Sequence, residues 1–196
     1  MKILVTYVTN SGTTTDVAVA IGEEIAKSGA VVETLPLAEV KNLADYNAVV
    51  LGAPMIMGWH RAALKFLKQN KKTLESKPLA VFVTAMSITN STKNLPVNFS
   101  THIDQKAAVN PKSNEHYSFK ETYATPSYYL RPIVKAGPKS LAAVGFFGGR
   151  LDYYRLKWWE ALFVMLIIGA KPGEKRNWDD IRSWAAGLPS NLKLTS

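Results

Sequence analysis

The 196-residue chain contains no cysteine. Disulfides, thiolate nucleophiles, iron–sulfur clusters and cysteine-type zinc sites are therefore excluded, and any redox chemistry has to come from a bound cofactor. Histidine is scarce. His60, His102 and His116 are scattered without ligand spacing, so no metal site is expected. The absence of G-x-x-x-x-G-K-[ST] argues against a P-loop, and the absence of G-x-G-x-x-G after the first strand argues against a dinucleotide fingerprint. No signal peptide precedes the first strand, which makes the cytoplasm the expected address.

What is present is an ordinary globule with a basic balance. Hydrophobic residues make up 47% and charged residues 20%, and the length suits one domain over residues 1–196. The formal net charge is +9. Such a surface favours anionic partners, or simply keeps the protein soluble. The basic residues are dispersed and no recognition motif accompanies them, so no nucleic-acid partner is expected.

Apolar runs alternate with helical patterns. Residues 2–8, 31–35, 48–52, 79–83 and 141–147 read as strands, and residues 14–28, 62–75 and 127–135 as helices. A last helix starts at Asn177, its expected cap, with Asp179 and Asp180 in its first turn and Ile181, Trp184, Ala185 and Leu188 as its buried stripe. The run Ala48-Val49-Val50-Leu51-Gly52 is continuous rather than alternating, as in a strand covered on both faces. This order predicts an α/β, doubly wound parallel sheet with helices on both faces. Ligands then sit beyond the carboxyl ends of the strands.

The first such end carries Thr9-Asn10-Ser11-Gly12-Thr13-Thr14. Unpaired amides and the positive end of a helix dipole face an anion there, and hydroxyls add donors. No Lys or Arg lies between Lys2 and Lys27, which suits a terminal monophosphate better than a metal-bound triphosphate. The simpler reading is a polar helix cap. After the third strand comes Pro54-Met55-Ile56-Met57-Gly58-Trp59, apolar although at a surface, as expected beside a flat ligand. Trp59 either stacks on that ligand or packs on the next helix. His60 is the titratable side chain in this loop and the one candidate acid or base. After the fourth strand comes Thr84-Ala85-Met86-Ser87.

Thr9-x-Ser11-Gly12-x-Thr14 resembles the flavodoxin phosphate loop, T-x-[TS]-G-x-T, which holds the phosphate of FMN. The resemblance implies a five-stranded sheet of order 2-1-3-4-5. It also implies an FMN cofactor anchored by residues 9–14, with residues 54–59 and 84–87 flanking its ring.

Two segments are less regular. Between residues 88 and 125 the chain turns polar, with breaks at Pro96 and Pro111 and no persistent period. That insert is either a disordered surface loop or a lid carrying Tyr117, Phe119 and Tyr123. Further on, an apolar helix is expected at about residues 154–168. Its core of residues 158–168 opens with Trp158-Trp159 and ends with Ile167-Ile168. It is too short to span a bilayer, which takes about 20 residues. It is either buried core or a helix lying on a membrane or partner.

The stretch from Gly148-Gly149-Arg150 to Trp158-Trp159, followed by Trp178-Asp179, resembles flavodoxin-like, menaquinone-dependent protoporphyrinogen IX dehydrogenases. That resemblance implies an FMN-dependent oxidoreductase acting on protoporphyrinogen IX with a quinone as acceptor, and peripheral contact with the inner face of the cell membrane through residues 158–168. Arg150, Arg155 and Lys157 could pair with propionates or lipid phosphates, or be solvated flanks. The chain departs from that family in its longer insert. The alternatives are a flavodoxin-type electron carrier, which docks a redox partner protein and has no substrate of its own, and a binding module that has lost FMN.

Overall fold

The computed structural model describes residues 1–56, 58–96, 98–113, 116–151 and 173–193. Its centre is a six-stranded sheet of strands β1 (Lys2–Tyr7), β2 (Val31–Pro36), β3 (Ala48–Pro54), β4 (Leu79–Ala85), β6 (Ser100–Ile103) and β8 (Leu141–Gly148), in the order β2-β1-β3-β4-β8-β6. Every pairing in that sheet is parallel. The expected order of five strands is present, with β8 as the fifth, and the insert adds a sixth strand at the edge.

Side chains alternate across the sheet. One face carries Leu4, Val49, Leu51, Val81, Val83, Val144 and Phe146, packed with Ala63 and Leu67 of α2 (Arg61–Gln69) and Leu130 and Ile133 of α5 (Pro126–Ala136). The other carries Ile3, Val5, Val50, Ala80, Phe82, Ala143 and Phe147. These meet Val17, Ile21 and Ile25 of α1 (Thr13–Ala26) and Ile181, Trp184, Ala185 and Leu188 of α6 (Trp178–Asn191). Both faces are covered, which is why β3 and β4 read as unbroken apolar runs.

Three features differ from the sequence expectation. The helix expected over 62–75 is two helices, α2 and α3 (Lys71–Glu75), meeting at Asn70. The Asn70 backbone N–H and its side-chain Nδ2 both donate to the Phe66 carbonyl at 3.0 Å. An asparagine side chain competing for backbone groups ends a helix in this way. Asn177 flanks α6, but its side chain makes no capping bond. It donates instead to Asp104 Oδ1 at 3.2 Å.

The insert, finally, is built rather than irregular. It contains β5 (Ile88–Thr89), β6, β7 (Ala108–Val109) and α4 (Phe119–Tyr123), with β5 and β7 paired in parallel. A Ser118–Glu121 capping box opens α4. Asp104 follows β6, is fully buried, and accepts from the amide of Lys106 at 3.0 Å. The short strands β9 (Arg150–Leu151) and β10 (Gly173–Glu174) form an antiparallel pair.

The apolar helix expected at 154–168, with Arg155, Lys157 and Trp158 through Ile168, lies outside the described residues, as does Met57. Among the described residues, no helix is long and apolar enough to cross a membrane.

Phe82 is fully buried between the sheet and the α1–α6 layer. Its replacement by alanine is expected to cost about 4 kcal/mol through lost transfer energy and a residual cavity. Urea unfolding of the apoprotein should show this as a lowered midpoint with an unchanged slope.

Candidate functional site

The carboxyl ends of β1, β3, β4 and β8 bring the predicted loops to one rim of the sheet. The first loop is shaped by Gly12, which flanks α1 at φ 84°. That left-handed conformation costs a side chain but not a glycine. The Gly12 amide donates to Thr9 Oγ1 at 2.9 Å, closing the turn on itself. No side chain caps α1, so the first-turn amides keep their capacity for an external acceptor. An anion is the acceptor such a helix start favours.

The six turn residues do not all face outward. Thr9, Asn10, Ser11 and Gly12 are half-buried or exposed, whereas Thr13 and Thr14 are 8% and 1% exposed. Thr13 Oγ1 donates to the Arg150 carbonyl at 3.0 Å, which commits its proton. Thr14 Oγ1 shares a 3.1 Å hydrogen bond with Thr84 Oγ1. These two hydroxyls therefore tie the turn to the end of β4 and to β9, while Thr9 and Ser11 remain at the rim.

The second loop leaves β3 at Pro54. The amide of Met55 donates to the Thr84 carbonyl at 2.9 Å, continuing the β3–β4 pairing past the strand end. Met55 bridges to Trp59, and Gly58 sits at φ 137° within the turn, where the Ile56 amide donates to its carbonyl at 3.1 Å. Trp59 is only 3% exposed and packs in the core beside Ala63. Its indole N–H donates to the Ala53 carbonyl at 3.3 Å. Of the two uses expected for Trp59, packing is the one it has here. Among the described residues of this loop, the large apolar side chain presented at the surface is Ile56, 43% exposed.

His60 Nδ1 accepts from the Ala62 amide at 3.2 Å and so caps α2. Burial lowers its pKa below the usual histidine value. Its lone pair is spent on the helix, which makes it a cap before it is an acid or base.

In the third loop Thr84 and Ala85 are buried, Met86 is half-buried and Ser87 is exposed. The Ser87 carbonyl accepts from Tyr129 Oη of α5 at 2.7 Å.

The segment around β9 and β10 is the part the sequence did not reveal. The Gly149 amide donates to the Ala85 carbonyl at 2.8 Å, and the Lys175 amide to the Gly149 carbonyl at 3.0 Å. A Cβ on Gly148 would stand 2.0 Å from the Lys175 carbonyl oxygen, so only glycine lets this strap lie across the end of β8. Lys175 Nζ donates to the Met86 carbonyl at 2.9 Å. The side chain of Arg176 is 5% exposed and reaches Asp16 Oδ2 at 2.7 Å and Glu174 Oε2 at 2.5 Å. Those hydrogen bonds hold the Glu174 carboxyl below its ordinary pKa and the guanidinium above its own. A basic pair preceding a helix, with an acid in the first turn of another, was the sole trace of this link in the sequence.

A doubly wound parallel sheet, with a left-handed glycine turn after β1 and apolar and polar loops after β3 and β4, is the architecture of α/β proteins of the flavodoxin type. The family model of the flavodoxin domain matches residues 4–177, and the chain belongs to the flavodoxin family. A curated relative, the protoporphyrinogen IX dehydrogenase [quinone] of Leishmania major, is 25% identical over 193 residues, covering 94% of this chain and 71% of that protein. Oxidised flavodoxin 1 of Bacillus cereus shares the fold with a TM-score of 0.51 at 13% identity, with all of both chains covered. Rubredoxin oxygen:oxidoreductase of Desulfovibrio gigas does so at 0.53 and 11%, over 98% of this chain and 36% of its own. The family implies a flavin cofactor, FMN.

His60 generates a pH dependence. Its lowered folded pKa means that the unfolded chain binds the proton more readily. Its stabilising contribution is therefore complete above the ordinary value of about 6.5 and is lost as pH falls through the folded pKa. Replacing His60 with serine, another cap former, should flatten that part of the stability profile below about pH 6.5 in urea titrations of the apoprotein.

Proposed function

We propose that the protein is an FMN-dependent oxidoreductase that removes hydrogen from protoporphyrinogen IX or a closely related substrate and passes the electrons to a quinone. One observation carries the cofactor half of this reading: the turn of Thr9, Ser11 and Gly12 meets the loops after β3 and β4 through the Thr14–Thr84 and Met55–Thr84 hydrogen bonds. The likeness to the Leishmania major dehydrogenase supports the substrate half.

The residues present fit FMN. The first-turn amides of α1, Thr9 and Ser11 offer neutral donors to a phosphate monoester, and no carboxylate occurs between Lys2 and Thr15 to repel it. Pro54, Met55, Ile56, Met57 and Gly58 would form one wall of the ring site, with Trp59 as the pillar beneath. Thr84, Ala85, Met86 and Ser87 would form the other. Thr13 and Thr14 hold the turn in place. When bound, FMN supplies the hydride and electron chemistry that this cysteine-free chain lacks. The protein's share is to anchor, orient and shield it.

A quinone or a redox partner protein is the expected acceptor. Residues 158–168 are the candidate for contact with a membrane surface, a role drawn from sequence alone. A flavodoxin-type carrier is the second reading, favoured by whole-chain likeness to flavodoxins such as that of Bacillus cereus.

The purified protein should carry a flavin with absorption bands at about 370 and 450 nm. Anaerobic mixing of the reduced protein with a menaquinone analogue should reoxidise it rapidly, whereas a carrier would react with the quinone slowly and need a protein partner. A colourless protein that takes up no FMN would overturn both redox readings. In a Thr9→Val/Ser11→Ala double variant, FMN affinity should fall about 10–100-fold, at roughly 1 kcal/mol per hydrogen bond and more for a charged acceptor. Riboflavin affinity, which needs no phosphate site, should stay unchanged in fluorescence titrations.

A further inference from the structure

We propose that Lys175 is a redox-tuning residue: its ammonium, held at the β4 loop, favours the reduced and negatively charged form of the bound flavin over the oxidised one. The inference rests on the FMN reading above and deepens it.

The stem of Lys175 is fixed by construction. Its amide is bound to Gly149, its carbonyl lies against Gly148, and its neighbours Glu174 and Arg176 are locked together. From that stem Nζ reaches the Met86 carbonyl at 2.9 Å, which places its ammonium on the β4 loop proposed above as one wall of the ring site.

Among the described residues, no carboxylate is paired with the Lys175 ammonium. The two nearby acids, Glu174 and Asp16, are both held by Arg176, through Nε and Nη2 to Glu174 and Nη1 to Asp16. The three predicted cofactor loops, residues 9–14, 54–59 and 84–87, contain no Asp or Glu.

A flavin ring that takes up two electrons and one proton gains one negative charge. A cation beside it lowers the energy of that state and leaves the neutral oxidised ring almost untouched. The direction is a raised two-electron potential, which suits an enzyme that accepts electrons from a substrate better than a low-potential carrier. Lys175 is exposed, so screening limits the effect. A unit charge a few ångströms away in a water-like medium is worth a factor of about five to ten.

The test compares wild type, Lys175→Met and Lys175→Arg. Apoprotein is titrated with oxidised FMN and, anaerobically, with dithionite-reduced FMN, at low and high salt. The methionine variant should lose about five- to tenfold of the preference for reduced FMN, or about 20–30 mV at roughly 30 mV per decade for two electrons. The arginine variant should retain the preference, and high salt should shrink the difference. Equal changes in both redox states, or none, would overturn the inference while leaving the FMN reading standing. Wild-type apoprotein that takes up no FMN in either state would overturn both.

Discussion

The structure depends on a parallel sheet covered on both faces. Every residue of β4 is buried, and all of β3 up to Pro54. Parallel strands exchange their hydrogen bonds with neighbours on each side and leave no wet face, so no polar chemistry can be housed along them. Function is pushed to the strand ends, where the chain leaves the ladder and backbone groups become available. The turn after β1, the loops after β3 and β4 and the strap across β8 all lie there because the sheet admits them nowhere else.

At that rim the loops are cross-linked to one another by local polar contacts rather than by hydrophobic burial. Thr14 and Thr84 join the first loop to the third, Thr13 joins the first to β9, and Lys175 joins the strap to Met86. A hydrogen-bonded rim above an apolar core holds its donors in fixed directions before any ligand arrives, which reduces the ordering cost of binding. Arg176 serves the same end from beneath. It pairs with both Asp16 and Glu174 and so offsets part of the negative charge beside the first turn of α1.

The layered fold was legible in the sequence because its strands are continuous apolar runs and its last helix shows a clean stripe. The turn at Thr9–Gly12 was legible as a turn because hydroxyls and a glycine at a strand-to-helix junction favour a hydrogen-bonded, left-handed corner, which it forms. Other elements were not. β6 spells Ser-Thr-His-Ile, with no apolar period to mark it, and becomes a strand only by pairing with β8. β9 and β10 are two residues each. The Arg176–Asp16 contact joins positions 160 residues apart, which no local pattern encodes. Trp59 could be read either way because one aromatic side chain suits a core and a ligand wall equally, and only its burial decides.

β6 has a consequence for the solubility of the protein. Without it, β8 would end the sheet as an eight-residue strand, Leu-Ala-Ala-Val-Gly-Phe-Phe-Gly, with its unpaired backbone open to other chains. Long apolar edges of this kind template intermolecular pairing. The insert covers it with a short strand that carries two hydroxyl residues and a histidine, the last clasped to Asp180 of α6 at 2.7 Å. Whatever else the insert does, it works as a guard strand. An engineer who trimmed residues 88–125 to shorten the chain would uncover a seam along which molecules could stack into aggregates.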